Sequence, residues 1–387
     1  MAEGRVKITR RGADRVRSGH LWVYRSDVRS AEAEPGAVVR VTDETGNFVG
    51  RAFFSSRSQI TLRLLTRDDV AINRDFLAAR IRSAIEYRKR VAADTEAYRL
   101  IYGESDLLPS LIVDRYAEWL VIQTLSQGTD RHKDEIVSIL QERLSPRGIL
   151  ERNDPRVREL EGLERRSSVL YGTVPEKVMA TQNGIRFLYD LRTGQKTGGF
   201  LDQRENHRAA REYASGDVLD CFSYHGGFAL TVAQNASQVE AIDLSGPAID
   251  IARRNQELNA VENVRFLEGN SFDLLKSYDS SGCMFDAVIL DPPAFAKNRE
   301  SVAAASRGYK EINLRALKII RPGGFLITCS CSYHISEALF LQLVAEAAND
   351  AGRSVQIVER RTQGRDHPIL LTMPETHYLK CFIIRCL

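Results

Sequence analysis

Two cysteines stand two residues apart in Pro322-Gly323-Gly324-Phe325-Leu326-Ile327-Thr328-Cys329-Ser330-Cys331-Ser332, an apolar run that leaves a Pro-Gly-Gly turn. Side chains at i and i+2 of a strand point the same way. Cys331 lies further along, where the carboxyl edge of a sheet would bring it to a ligand crevice. A buried cysteine is usually a small hydrophobe, but a thiolate at a reactive edge is a nucleophile. One reaction needs such a group: methyl transfer to C5 of a pyrimidine, a carbon that is not nucleophilic in the aromatic ring. Thiolate addition at C6 gives an enolate-like species whose C5 can attack an electrophilic methyl. Cys329 is the alternative nucleophile.

A second strand-like run, Ala287-Val288-Ile289-Leu290, ends in Asp291-Pro292-Pro293-Ala294-Phe295. Proline after the acid forces extended geometry and removes backbone donors. The rigid loop would aim Asp291 and Phe295 into a crevice, where a planar base is hydrogen-bonded by one and stacked on the other. The plainer reading is a stiff strand exit with a packed phenylalanine.

A third run, Val218-Leu219-Asp220-Cys221-Phe222-Ser223-Tyr224-His225-Gly226-Gly227-Phe228, ends in an acid, turns through paired glycines and enters a helical pattern. Residues 239–242 then end in Asp243. This reads as two parallel strands of a nucleotide-binding sheet. The glycines allow close backbone approach, and an acid at the second strand tip can hold both ribose hydroxyls. The turn lacks the G-x-G-x-x-G of a dinucleotide fold. It therefore argues weakly for a pyrophosphate and better for an adenosine without phosphate, as in S-adenosyl-L-methionine.

These three strand tips need a sheet to position them. From Gly216 on, strands at 218–222, 239–243, 264–268, 286–291 and 325–329 alternate with helices reaching about 235 and spanning 247–259, 309–320 and 336–351. That is an α/β doubly wound, Rossmann-like plan. Runs at 355–358 and 379–385, with no helix between them, predict a closing antiparallel hairpin. Upstream, residues 1–70 read as a small all-β barrel with one short helix, from runs at 38–41, 48–54 and 60–65 between Gly and Pro turns. Residues 73–91 switch to helical spacing, capped by Asn73 or Asp75. Their other face carries Arg74, Arg80, Arg82, Arg88, Lys89 and Arg90. Runs at 98–102, 110–113, 119–124, 148–151 and 168–171 around a helix at 132–144 suggest a small α+β domain, and Asn183-Gly184 a hairpin turn. The expected domains are thus 1–70, 71–184 and 185–387.

At 387 residues, 43% of them hydrophobic, the chain is long enough for two or three domains with real cores. No apolar run of about 18 residues predicts a membrane span, and the first ten residues are too polar for a secretory signal. Six cysteines without dense spacing fit a reducing cytoplasm. No second Cys pair or His set completes a metal site with Cys329 and Cys331. The net charge is only +3, yet residues 1–30 hold eight basic residues against three acidic ones, locally +5. That reads as a localised polyanion site or as a solvated basic face.

Together these motifs resemble the bacterial 23S ribosomal RNA cytosine-C5 methyltransferase I family, a PUA domain followed by a small α+β domain and a class I methyltransferase domain. The resemblance runs over essentially the whole length. Its strongest mark is Gly194-Gln195-Lys196-Thr197-Gly198-Gly199-Phe200-Leu201-Asp202-Gln203-Arg204-Glu205-Asn206, beside Asp291-Pro292-Pro293-Ala294-Phe295 and Thr328-Cys329-Ser330-Cys331-Ser332. It implies an S-adenosyl-L-methionine site with Asp220 and Gly226 at the methionine end and Asp243 at the ribose. Asn270 stands where relatives use an adenine-binding Asp. Ser223, Leu244, Ser271 and Asp291 complete the implied cofactor set. Lys196, Gln203, Arg204, Pro292 and Phe295 are implied at the substrate, with Asp202 nearby, and Cys331 and Asp291 in catalysis. Other C5 enzymes carry a second cysteine in D-x-P-C. Ala294 stands there, so Asp291 or water must assist product release. The implied partner is RNA, with homodimers common among related chains. Two other functions stay open: methylation at another base position with Cys331 structural, and a non-catalytic RNA-binding or ribosome-assembly protein.

Overall fold

The structure is a computed structural model and describes residues 4–296 and 298–387. Residues 1–3, including Glu3 of the basic segment, and Lys297 lie outside the described residues. The chain forms two compact units. The first comprises residues 1–180, 189–201 and 365–376, and the second 181–188, 202–364 and 377–387.

The first unit holds two sheets. Six strands run in the order Trp22–Tyr24, Ile60–Thr66, Phe48–Phe54, Val38–Thr42, Gly4–Ile8, Val28–Glu32. The expected strands and short helix (Arg10–Arg17) are present. Among the described residues the two outer strands do not pair with each other, so hydrogen bonds leave the expected barrel open. Thr9 caps the helix, its side chain accepting from the Gly12 amide at 3.1 Å. The second sheet orders Arg166–Gly172, Gly148–Asn153, Trp119–Thr124, Leu111–Tyr116 and Ala97–Tyr102. Against it packs the helix Arg74–Val91, capped by Asn73 and burying Leu77, Ile81, Ala84 and Ile85. Within this unit Arg63 and Glu161 meet in a buried ion pair at 2.8 Å.

The basic features of this unit are more neutralised than the sequence suggested. Arg88 is 1% exposed and grips the Asp106 carboxylate with both terminal nitrogens, so it leaves the basic helix face. Arg11 and Arg15 both bind buried Asp27, Arg17 binds Asp43 and Arg29 binds Glu44. Asp27 is already counted in the local +5, and Asp43 and Glu44 from an adjoining segment compensate two further charges, leaving about +3.

The second unit is a seven-stranded sheet in the order Val264–Glu268, Ala236–Asp243, Gly216–Cys221, Phe285–Leu290, Ile320–Ser330, Lys380–Cys386, Val355–Arg361. The first five are mutually parallel. The last two form the antiparallel hairpin, pairing Ser330 with Lys380 and Cys329 with Cys381. The core is the apolar interior of these strands with the helices Val302–Ile319 and Glu337–Asp350. Three details depart from the sequence reading. A helix, Ser271–Ser281, follows the third strand; it buries only Ser271 and Leu275, too few to show a periodic stripe. The helix expected at 309–320 begins at Val302 and runs through Gly308, where Phe295 packs; a Cβ there would lie 3.3 Å from that ring. The fifth strand begins early, at Ile320, with a register shift across Pro322-Gly323-Gly324.

Candidate active site

The first strand of the second unit delivers Asp220 to its tip, fully buried. Its Oδ2 accepts from the Ala229 amide at 3.0 Å, while Oδ1 has no hydrogen-bond partner among the described residues. Burial, then the nearby Asp291 charge, holds this carboxyl well above the usual range. A cation brought to Oδ1 would relieve both penalties.

Three backbone positions in the next six residues, Phe222, Tyr224 and Gly226, have φ of 66°, 49° and 82°. For Phe and Tyr this left-handed geometry costs of order 1–3 kcal/mol each. Asp243, at the tip of the neighbouring strand, holds the strained turn in place. Its Oδ2 accepts from the Tyr224 amide at 2.8 Å and its Oδ1 from the Ser245 amide at 2.9 Å. A carboxylate has about four acceptor positions, so two remain for a diol. Ser223 is buried, its amide bonded to the Ile242 carbonyl at 2.9 Å and its Oγ without a partner among the described residues.

The paired glycines have a different cause from the one the sequence suggested. A Cβ on Gly226 would lie 2.9 Å from the Phe266 ring, and one on Gly227 2.5 Å from His207 Cε1. Internal packing, rather than ligand approach alone, excludes side chains here. His207 is buried against Phe228 with ring centroids 4.4 Å apart. Burial pulls its proton affinity down to about 3; Asp202 opposes that and Arg204 adds to it.

Beyond the second and third strands, Leu244 is 72% exposed. Asn270 caps the following helix, its Oδ1 accepting from the Phe272 amide at 2.9 Å, and Ser271 is buried in the first turn. The carbonyl assigned to adenine is thus already bonded once inside the protein.

The fourth strand delivers Asp291, whose Oδ1 accepts from Gln203 Nε2 at 2.7 Å. Gln203 Oε1 in turn accepts from Asn206 Nδ2 at 2.7 Å, and Asn206 Oδ1 from Arg361 at 3.0 Å. Asp202 accepts from the Tyr378 hydroxyl. The polar segment 202–206 therefore acts as a brace behind Asp291. Arg204 within it is 1% exposed, bonded to Glu205 at 3.3 Å, which leaves no surface guanidinium for a phosphate. Lys196 belongs to the first unit, exposed, its ammonium 4.7 Å from the Phe200 ring centroid. Phe295 is half-buried, packed on Tyr309 at 4.7 Å and Phe272 at 5.9 Å.

The fifth strand ends at Ser330, one residue before Cys331, so the two cysteines do not share a continuing strand. Cys329 is fully buried opposite Cys381, and burial, then that contact, pushes its thiol well up. Cys331 is partly exposed, its Sγ 3.9 Å from the Pro292 carbonyl. Ser332 joins the same two segments, its Oγ accepting from the Ala296 amide at 3.1 Å and meeting the Tyr309 hydroxyl at 3.0 Å. Lys380 was not singled out from sequence. It is buried at this strand end and bonded to the Ser332 carbonyl at 2.7 Å. The available signal was a lysine opening the otherwise apolar run Cys381-Phe382-Ile383-Ile384.

The strand tips thus gather Asp220, Ser223, Asp243, Asp291, Gln203 and Cys331 in one unit. The buried Asp220 Oδ1, without a partner among the described residues, suits an ammonium and the half-buried Asp243 a ribose, so these residues fit S-adenosyl-L-methionine. Among the described residues no group of three or more His, Cys, Asp or Glu is arranged for a metal ion, and no helix is long and apolar enough to cross a membrane.

Residues 6–67 match the PUA-like domain family and residues 164–382 the S-adenosylmethionine-dependent methyltransferase family. The crystal structure of SMU.776 complexed with SAH superposes with a TM-score of 0.86 at 22% identity, covering 98% of this chain and 99% of that one, which shows the shared fold. The Ribosomal RNA large subunit methyltransferase I of Tolumonas auensis is 40% identical over 379 residues, 95% of this chain and 96% of the relative. That of Photobacterium profundum is 42% identical over 393 residues, 99% of this chain and 97% of the relative. The protein uses S-adenosyl-L-methionine, and with this identity along nearly its whole length it belongs to the ribosomal RNA large subunit methyltransferase I family.

Proposed function

We propose that the protein methylates C5 of a cytosine in large-subunit, 23S ribosomal RNA through a covalent bond between Cys331 and C6. The names of its relatives support the ribosomal substrate. The observation that carries the chemistry is the partly exposed Cys331 thiol beside the Asp291-Pro292-Pro293 loop, with Sγ 3.9 Å from the Pro292 carbonyl.

S-adenosyl-L-methionine, when bound, supplies an electrophilic methyl on a sulfonium. Asp220, Ser223 and Gly226 hold its methionine end, Asp243 its ribose, and Leu244, Asn270 and Ser271 border the adenine. On the RNA side, Cys331 loses its proton and Sγ bonds to C6, placing electron density at C5. Asp291, braced by Gln203, and Phe295 orient the base. After C5 is methylated its proton leaves to Asp291 or water, and the Sγ–C6 bond breaks to restore the aromatic ring and the thiolate.

RNA carrying 5-fluorocytosine tests this, because fluorine at C5 cannot leave as a proton and the adduct is trapped. Wild-type protein should form a denaturation-resistant complex and Cys331→Ala should not. Methyl incorporation into RNA with no trapped complex would refute the covalent route. Mass mapping of 23S ribosomal RNA from a strain lacking the protein then identifies the nucleotide.

A further inference from the structure

Lys380 opens the strand Lys380–Cys386 and pairs with Ser330, the last residue of the strand that precedes Cys331. Its ammonium donates to the Ser332 carbonyl at 2.7 Å and to the Tyr378 carbonyl at 2.8 Å. With backbone pairing at residue 330 and a side-chain bond at residue 332, Lys380 brackets Cys331. The side chain is only 4% exposed. Both acceptors are neutral, and among the described residues no carboxylate forms an ion pair with it. A buried ammonium without a counter-ion is costly, and burial pulls its proton affinity down to about 8. Cys331, and to a smaller degree Glu337, oppose that pull.

Among the described residues no other ionisable group around this point is hydrogen-bonded to this ammonium. Tyr309 is a buried phenol bonded to Ser332, with its proton affinity raised by burial. Cys329 and Cys381 are buried thiols, and Asp291 is bonded to Gln203. We infer that Lys380 is the counter-ion of the Cys331 thiolate, a positioning residue that raises the thiolate fraction without touching the base. The consequence for turnover rests on Cys331 being the nucleophile; the pairing itself does not. The proton account is simple. Cys331 releases its proton to solvent, Lys380 keeps its own, and the ammonium remains in place when Sγ bonds to C6 and when it departs.

The test is iodoacetamide labelling of Cys331 in the full-length protein from pH 5 to 10, read by peptide mass spectrometry. Lys380→Gln keeps an amide donor but removes the charge. Its labelling midpoint should rise by about one unit, a roughly tenfold slower reaction at pH 7. Lys380→Arg should restore most of the wild-type profile, and binding of S-adenosylhomocysteine should be unchanged in both. Methylation by Lys380→Gln should lose about tenfold in kcat with KM for RNA little altered. An unchanged labelling midpoint would overturn the pairing whatever methylation does. A shifted midpoint with normal kcat would keep the pairing and overturn Cys331 as nucleophile. Should Lys380→Gln fail to fold, the wild-type midpoint decides: a value at or above about 8.5, the ordinary cysteine range, refutes the pairing.

Discussion

At the scale of single residues, burial separates groups of the same chemical type. Cys329 and Cys331 are two positions apart, yet one is fully buried against Cys381 and the other partly exposed beside Pro292. A thiol pushed up by burial is a poor nucleophile. Cys331→Ala should therefore bind cofactor and RNA nearly normally but lose several orders of magnitude in turnover. Cys329→Ala should keep substantial activity and lose about 1 kcal/mol of stability to the small cavity. Single-turnover methylation distinguishes them, and an inactive Cys329→Ala beside an active Cys331→Ala would move the role two residues upstream. Asp243 is the second such position. Two of its acceptor sites already hold the Tyr224 and Ser245 amides, so Asp243→Ala removes both the ribose contacts and the anchor of the strained turn. Each charge-assisted bond is worth about 1.5–3 kcal/mol. Calorimetry should show cofactor affinity reduced by at least tenfold to a hundredfold; unchanged affinity would mean the ribose binds elsewhere.

At the scale of elements, the sheet positions the site through packing that the sequence only partly reveals. Gly227 opens its helix against His207, and that contact predicts strong coupling. Gly227→Ala places a Cβ 2.5 Å from the imidazole and should cost about 1–3 kcal/mol in urea unfolding. In a His207→Ala background the same substitution should cost much less. His207 also gives the fold a pH dependence of definite sign. Folded, it stays neutral down to about 3; unfolded, it protonates near 6.5. Between those values the unfolded chain binds the extra proton. Stability from this group is present above about pH 6.5 and falls with acidification by up to about 1.4 kcal/mol per unit. His207→Gln should flatten the stability profile between pH 6.5 and 4.5, and a profile parallel to wild type would reject that origin. The strand tips at Asp220, Asp243 and Asp291 were legible because apolar runs ending in acids need only local pattern. The brace from Asn206 through Gln203 to Asp291, and Lys380 beside Cys331, were not, because each joins segments roughly 50 to 90 residues apart whose polar side chains carry no periodic signal. The helix Ser271–Ser281 was missed for the opposite reason: it buries too little to be seen.

At the scale of the whole molecule, the first unit contains a PUA-like domain over residues 6–67, and part of the unit's positive charge is taken up internally. Asp27 takes two arginines, Asp43 and Glu44 one each, and Asp106 a fully buried one. Arg5, Lys7, Arg82 and Arg90 are exposed and, among the described residues, bonded to no carboxylate. These are four of the exposed cations available to RNA phosphates. Deleting residues 1–70 would be a poor probe of that role, because it would strand buried Glu161 without Arg63, at a cost of about 3–5 kcal/mol. Replacing the four cations with alanine leaves the core and the buried pairs intact. For single-stranded RNA, each phosphate no longer neutralised should reduce the slope of log affinity against log salt by about 0.7, so the quadruple variant should lose up to about 3 in slope. Because these side chains read charge and not bases, affinity should fall for all RNA sequences alike, while binding of S-adenosylhomocysteine stays at the wild-type value. Filter binding across a salt series measures the slope. If the quadruple variant keeps the wild-type slope, these four cations do not touch RNA phosphates.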